Sequence, residues 1–121
     1  VVPSPFAQIL EELVRALPGA LGAIFVDWEG EAVDSFSRAS REDIRLEGAH
    51  WGVIYNQAKL FCDKLSLGRA AEVILRFDQQ QVIISRVSDG YIAIITLGDD
   101  ANLGRALGML RQAKAKLREE M

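Results

Sequence analysis

The sequence predicts an α+β domain built on one antiparallel sheet with helices on its faces. Three observations carry that reading. Segments near the two ends, Ser4 to Leu17 and Asn102 to Leu117, repeat apolar residues at helical spacing, and a longer helical segment runs from Leu46 to Leu67. Short runs rich in Val, Ile and Phe lie between these segments. Glycine-containing turns join neighbouring runs, so hairpins stand on either side of the middle helix. The order is helix, two strands, helix, three strands, helix, which fits one sheet with helices packed on it.

In chain order, Ser4 and Pro5 make a helix start: a side-chain cap followed by a residue whose fixed φ suits the first turn. Phe6, Ile9, Leu10, Leu13, Val14 and Leu17 form the buried stripe, and Pro18 with Gly19 stops the helix. From Ala20 to Trp28 nearly every residue is apolar, with Leu21, Ala23 and Phe25 on one face and Ile24 and Val26 on the other, as in a central strand. A two-residue turn at Glu29 and Gly30 leads into Glu31 to Ser37, whose weaker alternation fits an edge strand. Ser37 to Arg45 is polar and reads as a loop. Beyond Leu67, Gly68 ends the middle helix, and strands follow at Ala70 to Phe77, Gln81 to Val87 and Tyr91 to Leu97, with turns at Asp78-Gln79-Gln80 and Ser88-Asp89-Gly90. Asn102 is the candidate cap of the last helix, whose stripe is Leu103, Ala106, Leu107, Leu110, Ala113 and Leu117. Gly104 and Gly108 lie inside it at a cost of roughly 1 kcal/mol each against Ala, which close packing could offset.

The 121 residues are one domain's worth, so residues 1–121 are read as a single unit. A net charge of -3 gives no general attraction to nucleic acid or to anionic membranes. The basic run Arg111, Lys114, Lys116 and Arg118 suits the dipole at a helix C-terminus. One cysteine, Cys62, excludes an internal disulfide and a cysteine-based structural zinc site, consistent with a reducing compartment. No apolar run reaches the ~20 residues that span a bilayer, and Val1 to Phe6 lacks the basic start and apolar length of a signal peptide, so a cytoplasmic location without membrane insertion is expected.

The middle helix is the unusual element. At 100° per residue its apolar residues form two flanks: Ala49, Val53 and Leu60 on one, and Ile54, Ala58, Phe61 and Leu65 on the other, extended by Trp51, Tyr55 and Cys62. A narrow polar seam holds His50, Gln57 and Lys64. A broader one holds Gly48, Gly52, Asn56, Lys59 and Asp63, where the small residues would let another backbone approach closely. A helix with so little charged face needs more than its own sheet to bury it, and is read as an interface helix. The flank that grips the sheet is expected to be Ala49, Val53 and Leu60, or else Ile54, Phe61 and Leu65, with the Gly48, Trp51, Gly52, Tyr55 and Lys59 side turned to a second protomer or partner.

Leu17-Pro18-Gly19-Ala20-Leu21-Gly22-Ala23-Ile24-Phe25-Val26-Asp27 leading to Gly30, and Val87-Ser88-Asp89-Gly90-Tyr91 leading to Asn102-Leu103-Gly104, taken with the element order, resemble the roadblock/LC7 family over nearly the whole chain. The members most similar in style are short bacterial proteins such as regulators of the gliding-motility Ras-like GTPase. The resemblance implies a five-stranded antiparallel sheet in the order αββαβββα, with the first and last helices on one face and the middle helix on the other. It implies a homodimer joined through the strand after the middle helix and through the middle helices. It implies partners that are small Ras-like GTPases or other roadblock proteins. On that basis the expected dimer interface is Trp51, Tyr55, Ala70, Glu72, Ile74 and Arg76, with Glu72 and Arg76 placed to pair across a two-fold axis; an ordinary solvated strand face is the alternative. The expected partner-binding surface is Gly48, Gly52, Asn56, Lys59 and Asp63. Trp51 and Tyr55, one turn apart, are of the types found in interface hot spots, though burial in the dimer seam or in the domain's own core serves them equally.

No catalytic, cofactor-binding or metal-ligating residue is expected. His50 and Cys62 lie about 18 Å apart along one helix and cannot meet within a chain. Asp27, Glu29, Glu31 and Asp34 surround the first hairpin without a histidine or cysteine, and read as solvated turn carboxylates. The chain has no phosphate-loop motif and is not expected to bind GTP itself. An arginine supplied to a partner's active site would have to be Arg38, Arg41 or Arg45, which solvation explains as well. The expected function is a non-enzymatic dimeric platform that regulates or scaffolds a small Ras-like GTPase, directly or through another roadblock protein. The alternative is a small-ligand sensor of PAS or profilin-like shape, which requires a pocket lined by polar as well as apolar groups.

Overall fold

The structure is a computed structural model that describes residues 4–39 and 41–121. Helix α1 (Pro5–Ala16) starts as its sequence dictates: the Ser4 side chain accepts from the Ala7 amide at 3.1 Å, with Pro5 in the first turn. Strand β1 (Ala20–Asp27) follows at once. Ala20 pairs with Leu97 and Gly22 with Thr96, so Leu21 is the extra residue of a β-bulge. Leu21 is therefore 43% exposed instead of sharing the buried face of Ala23 and Phe25. The turn to strand β2 (Ala32–Ser37) has three residues, Trp28 to Gly30, instead of the expected two. Asp27 is the cause: its Oδ1 accepts from the amides of Glu29 (2.9 Å) and Glu31 (3.0 Å), and Gly30 takes φ 86, a value that favours glycine.

Helix α2 (Arg41–Lys64) begins earlier than the expected Leu46, so half of the predicted polar loop is helix. It ends before Leu67, and by a different device from Gly68. The Leu67 amide donates to Cys62 O at 2.9 Å and the Ser66 amide to Asp63 O at 3.4 Å, a Schellman motif with Ser66 at φ 56 in the left-handed position. Strands β3 (Glu72–Arg76), β4 (Gln80–Ser88) and β5 (Tyr91–Gly98) then form a meander, and helix α3 (Leu103–Glu119) closes the chain. Asn102 caps α3 by accepting from the Arg105 amide at 2.9 Å.

All five strands make one antiparallel sheet in the order β2-β1-β5-β4-β3. One face carries Ala23, Phe25, Ile83, Val87, Ala93 and Ile95, covered by Leu10, Leu13, Val14 and Leu17 from α1 and by Ala106, Leu110, Ala113 and Leu117 from α3. Each fully buried Leu or Phe there contributes about 1.5–3 kcal/mol. The other face carries Ile24, Val26, Val82, Ile84, Ile92 and Ile94, with Ile44 and Tyr55 of α2 upon it. Several buried polar side chains have partners. Gln81 Nε2 donates to the carbonyls of Gly98 (3.1 Å) and Ala101 (3.0 Å), fixing the entry to α3, and Lys114 Nζ donates to Ser85 Oγ at 2.8 Å. Burial pushes the Lys114 amine below the ordinary lysine value, against the opposing pull of Glu72.

Candidate functional site

The side of α2 that meets the sheet is not either apolar flank. It is the line Ile44, Gly48, Gly52 and Tyr55, which are buried, with Trp51 half-buried beside them. Glycine makes this possible. A Cβ at Gly48 would stand 3.0 Å from Ile24 Cδ1, and one at Gly22 would stand 2.6 Å from Ile44 Cδ1, so helix and strand approach at a distance that side chains would prevent. The close approach at Gly48 thus occurs with the chain's own sheet, and Gly52 lies against the β1-β2 turn, where a Cβ would stand 3.9 Å from Gly30 Cα. Tyr55, expected in a dimer seam, is 7% exposed within the single chain, and its hydroxyl donates to Ala70 O at 2.8 Å. Burial raises the pKa of that hydroxyl, while the charge of Arg86 pulls it the other way.

With Gly48, Gly52 and Tyr55 turned inward, both apolar flanks stand in solvent. Leu46, Val53, Ile54, Leu60, Phe61 and Leu65 are between 39% and 64% exposed, contrary to the expectation that one flank would grip the sheet. Trp51 meets Phe77, just past β3, with ring centroids 5.9 Å apart. Helical geometry therefore puts the Ile54, Ala58, Phe61 and Leu65 row on the β3 side and the Ala49, Val53 and Leu60 row on the opposite one. Strand β3 is an edge, and Ile74 and Phe77 are exposed along it. Glu72 has an ion partner within the chain, Arg111 of α3 at 3.2 Å. Arg76 is exposed, and Ala70, expected at the dimer interface, is partly buried against the α2 side of the sheet.

The remaining expected partner residues, Asn56, Lys59 and Asp63, share a different feature. They form one wall of a cleft of about 350 Å³ between the C-terminal half of α2 and the turns of the β1-β2 and β4-β5 hairpins. Ile92 and Tyr91 line it from β5, and Trp28 from the first hairpin, 69% exposed. At its rim Arg69 Nη1 reaches Asp89 Oδ1 at 2.8 Å, and Arg86 Nη1 approaches the same oxygen at 3.7 Å. The Arg86 Nε is buried without a hydrogen-bond partner.

No family model matches the sequence, and no curated protein matches it. Solved structures do. A roadblock/LC7 domain from Streptomyces avermitilis superposes with a TM-score of 0.87 at 13% identity, over 93% of each chain. The gliding protein MglB from Thermus thermophilus gives 0.85 at 14% identity, over 99% of this chain and 93% of that one. MglC from Myxococcus xanthus gives 0.72 at 24% identity, over 98% of this chain and 100% of the other. The fold is that of the roadblock/LC7 domain.

On this roadblock/LC7 framework the other candidate residues are placed as follows. Arg38 is bound on both sides, its Nε donating to Ala20 O at 3.0 Å and its Nη2 to Val14 O at 3.2 Å, which ties β1 to the end of α1. Arg45 is exposed, and the side chain of Arg41 lies outside the described residues. His50 is exposed on the outer side of α2 and Cys62 is half-buried. Asp27 organises its turn, and Asp34 accepts from the Ser4 hydroxyl. Glu29 and Glu31 are exposed. Among the described residues no cluster of three or more His, Cys, Asp or Glu side chains is placed to hold a metal ion, and no helix is long and apolar enough to cross a membrane. Sequence reasoning did not single out Trp28, Arg69 or Arg86. Trp28 and Arg69 stand in a turn or loop, where apolar periodicity carries no information, and Arg86 is a polar position within β4, where the strand pattern does not say what a side chain faces.

Proposed function

We propose that this chain is a non-enzymatic, dimeric interaction platform of the cytoplasm that regulates or scaffolds a small Ras-like GTPase, directly or by binding another roadblock protein. The observation that carries it is the outward surface of α2. Two apolar rows stand in solvent, one of them on the side of the unpaired β3 edge, and exposed apolar surface of that extent marks an interaction site. The Ile54, Phe61 and Leu65 row, continuous with β3, fits a second copy of the chain: edge pairing satisfies the free β3 backbone groups while the helices cover each other. The Ala49, Val53 and Leu60 row is then left for the GTPase or a second roadblock protein. The likeness of the fold to MglB, a gliding protein, and to MglC supports a role of this type. The platform supplies surface, ordering a partner's switch loops or gathering other regulators.

Light scattering tests the dimer. The parent is expected at twice the monomer mass, and Phe61→Asp and Ile74→Arg as monomers, because each sets an unpaired charge in the seam. A monomeric parent overturns the reading. Pull-down with candidate GTPases in both nucleotide states tests the partner, and absence of binding in both states removes the direct version.

A further inference from the structure

We propose that the cleft beside α2 binds a small organic anion, a flat ring bearing one phosphate or carboxylate. This goes beyond the platform reading and stands apart from it, because the cleft is complete within one chain. Its volume of about 350 Å³ falls in the range of small-molecule sites.

The charge follows from the arginines. Arg69 and Arg86 converge on one carboxylate oxygen, Asp89 Oδ1, at 2.8 and 3.7 Å, the second too long for a hydrogen bond. A guanidinium carries five N–H donors, so two guanidinium groups are poorly served by one oxygen. Lys59 of α2 adds a third cation to the lining. Three carboxylates also line the cleft. Asp27 is engaged by the amides of its own turn, Asp89 is the shared partner just described, and Asp63 stands on the α2 wall as a counterweight to Lys59. The unmet demand is thus for an acceptor at the two arginines, which a phosphate or carboxylate meets in bidentate form.

The flat ring follows from Trp28. The residue is 69% exposed, and it lies against the β4-β5 turn at Gly90, where a Cβ would stand 3.6 Å from Trp28 Cδ1. An exposed indole beside a glycine at the mouth of a cleft offers a stacking face to a planar group. Tyr91 and Ile92 supply apolar lining. The Tyr55 hydroxyl is already bonded to Ala70 O, so that wall is fixed before any ligand arrives.

The test is a titration of the ¹⁵N-labelled chain with GMP, benzoate and inorganic phosphate, read at the indole N–H resonances of Trp28 and Trp51. Saturable shifts of Trp28 with a still Trp51 are expected from GMP, from benzoate or from both, which assigns the anion as phosphate, carboxylate or either. Inorganic phosphate, lacking the ring, is expected to bind at least about tenfold more weakly. Arg69→Ala, on an exposed side chain, and Arg86→Ala are each expected to weaken binding about tenfold with the rest of the spectrum unchanged. No saturable Trp28 shift from either ring compound at millimolar concentration overturns the proposal, as do shifts undiminished in both variants. Neither result bears on the oligomeric state.

Discussion

Gly48 and Gly108 are both glycines inside helices, yet their surroundings give them opposite roles. A Cβ at Gly48 would meet Ile24 Cδ1 at 3.0 Å and Val26 Cγ2 at 3.4 Å, whereas one at Gly108 would meet nothing within 4 Å. Close packing therefore does not offset the cost of Gly108, and Gly108→Ala is expected to raise unfolding stability by about 1 kcal/mol in a denaturant titration. Gly48→Val overpacks the α2-β1 contact and is expected to lose about 1–3 kcal/mol. Tyr55→Phe removes the bond to Ala70 O, with a loss of about 1 kcal/mol. In the sequence, Gly48, Gly52 and Asn56 read as a polar seam, because periodicity locates apolar side chains and not what covers them. A glycine contributes no apolar atom to that pattern, yet it sets the closest approach in the layer.

Strands were the most legible elements. Ala20 to Asp27 and Tyr91 to Gly98 are buried on both faces, and such runs stand out whatever covers them. The Ser4 and Asn102 caps were legible too, since each needs only local chemistry. The start of α2 was missed because its first turns are polar, although Glu42 and Asp43 are the acidic residues that a helix N-terminus favours. The Leu21 bulge left no mark in the pattern, since it depends on the register with β5. At the other end of α2, Ser66 occupies a left-handed position that glycine fills without strain. Ser66→Gly is expected to stabilise the chain by about 0.5–1 kcal/mol, measurable as a higher denaturation midpoint.

For the whole molecule, Lys114 links stability to pH. Its amine is held below 10.5 by burial, with Glu72 pulling it up and Arg118, Arg111 and Arg86 pulling it down, so the unfolded chain binds that proton more tightly. The resulting penalty is full below the folded-state pKa and is relieved as pH rises from there toward 10.5. The Tyr55 hydroxyl runs the other way: its stabilising share is present below 10.0 and is lost above it. Lys114→Met is expected to flatten the rise of the melting temperature on the alkaline side of neutrality, up to where tyrosine begins to ionise. A dimer adds a dependence on concentration, the melting temperature climbing as the chain is concentrated. The strand order has a further consequence, for biogenesis. The β1-β2 hairpin and the β3-β4-β5 meander each form from neighbouring chain, but the central seam joins Ala20 to Leu97 and Asp27 to Tyr91. A ribosome adding ~5–20 residues per second leaves β1, apolar on both faces, without its central partner for roughly 3 to 15 s. Nascent chains arrested before Tyr91 should therefore be cut by protease within β1, and chains extended past Met121 and clear of the exit tunnel should resist it.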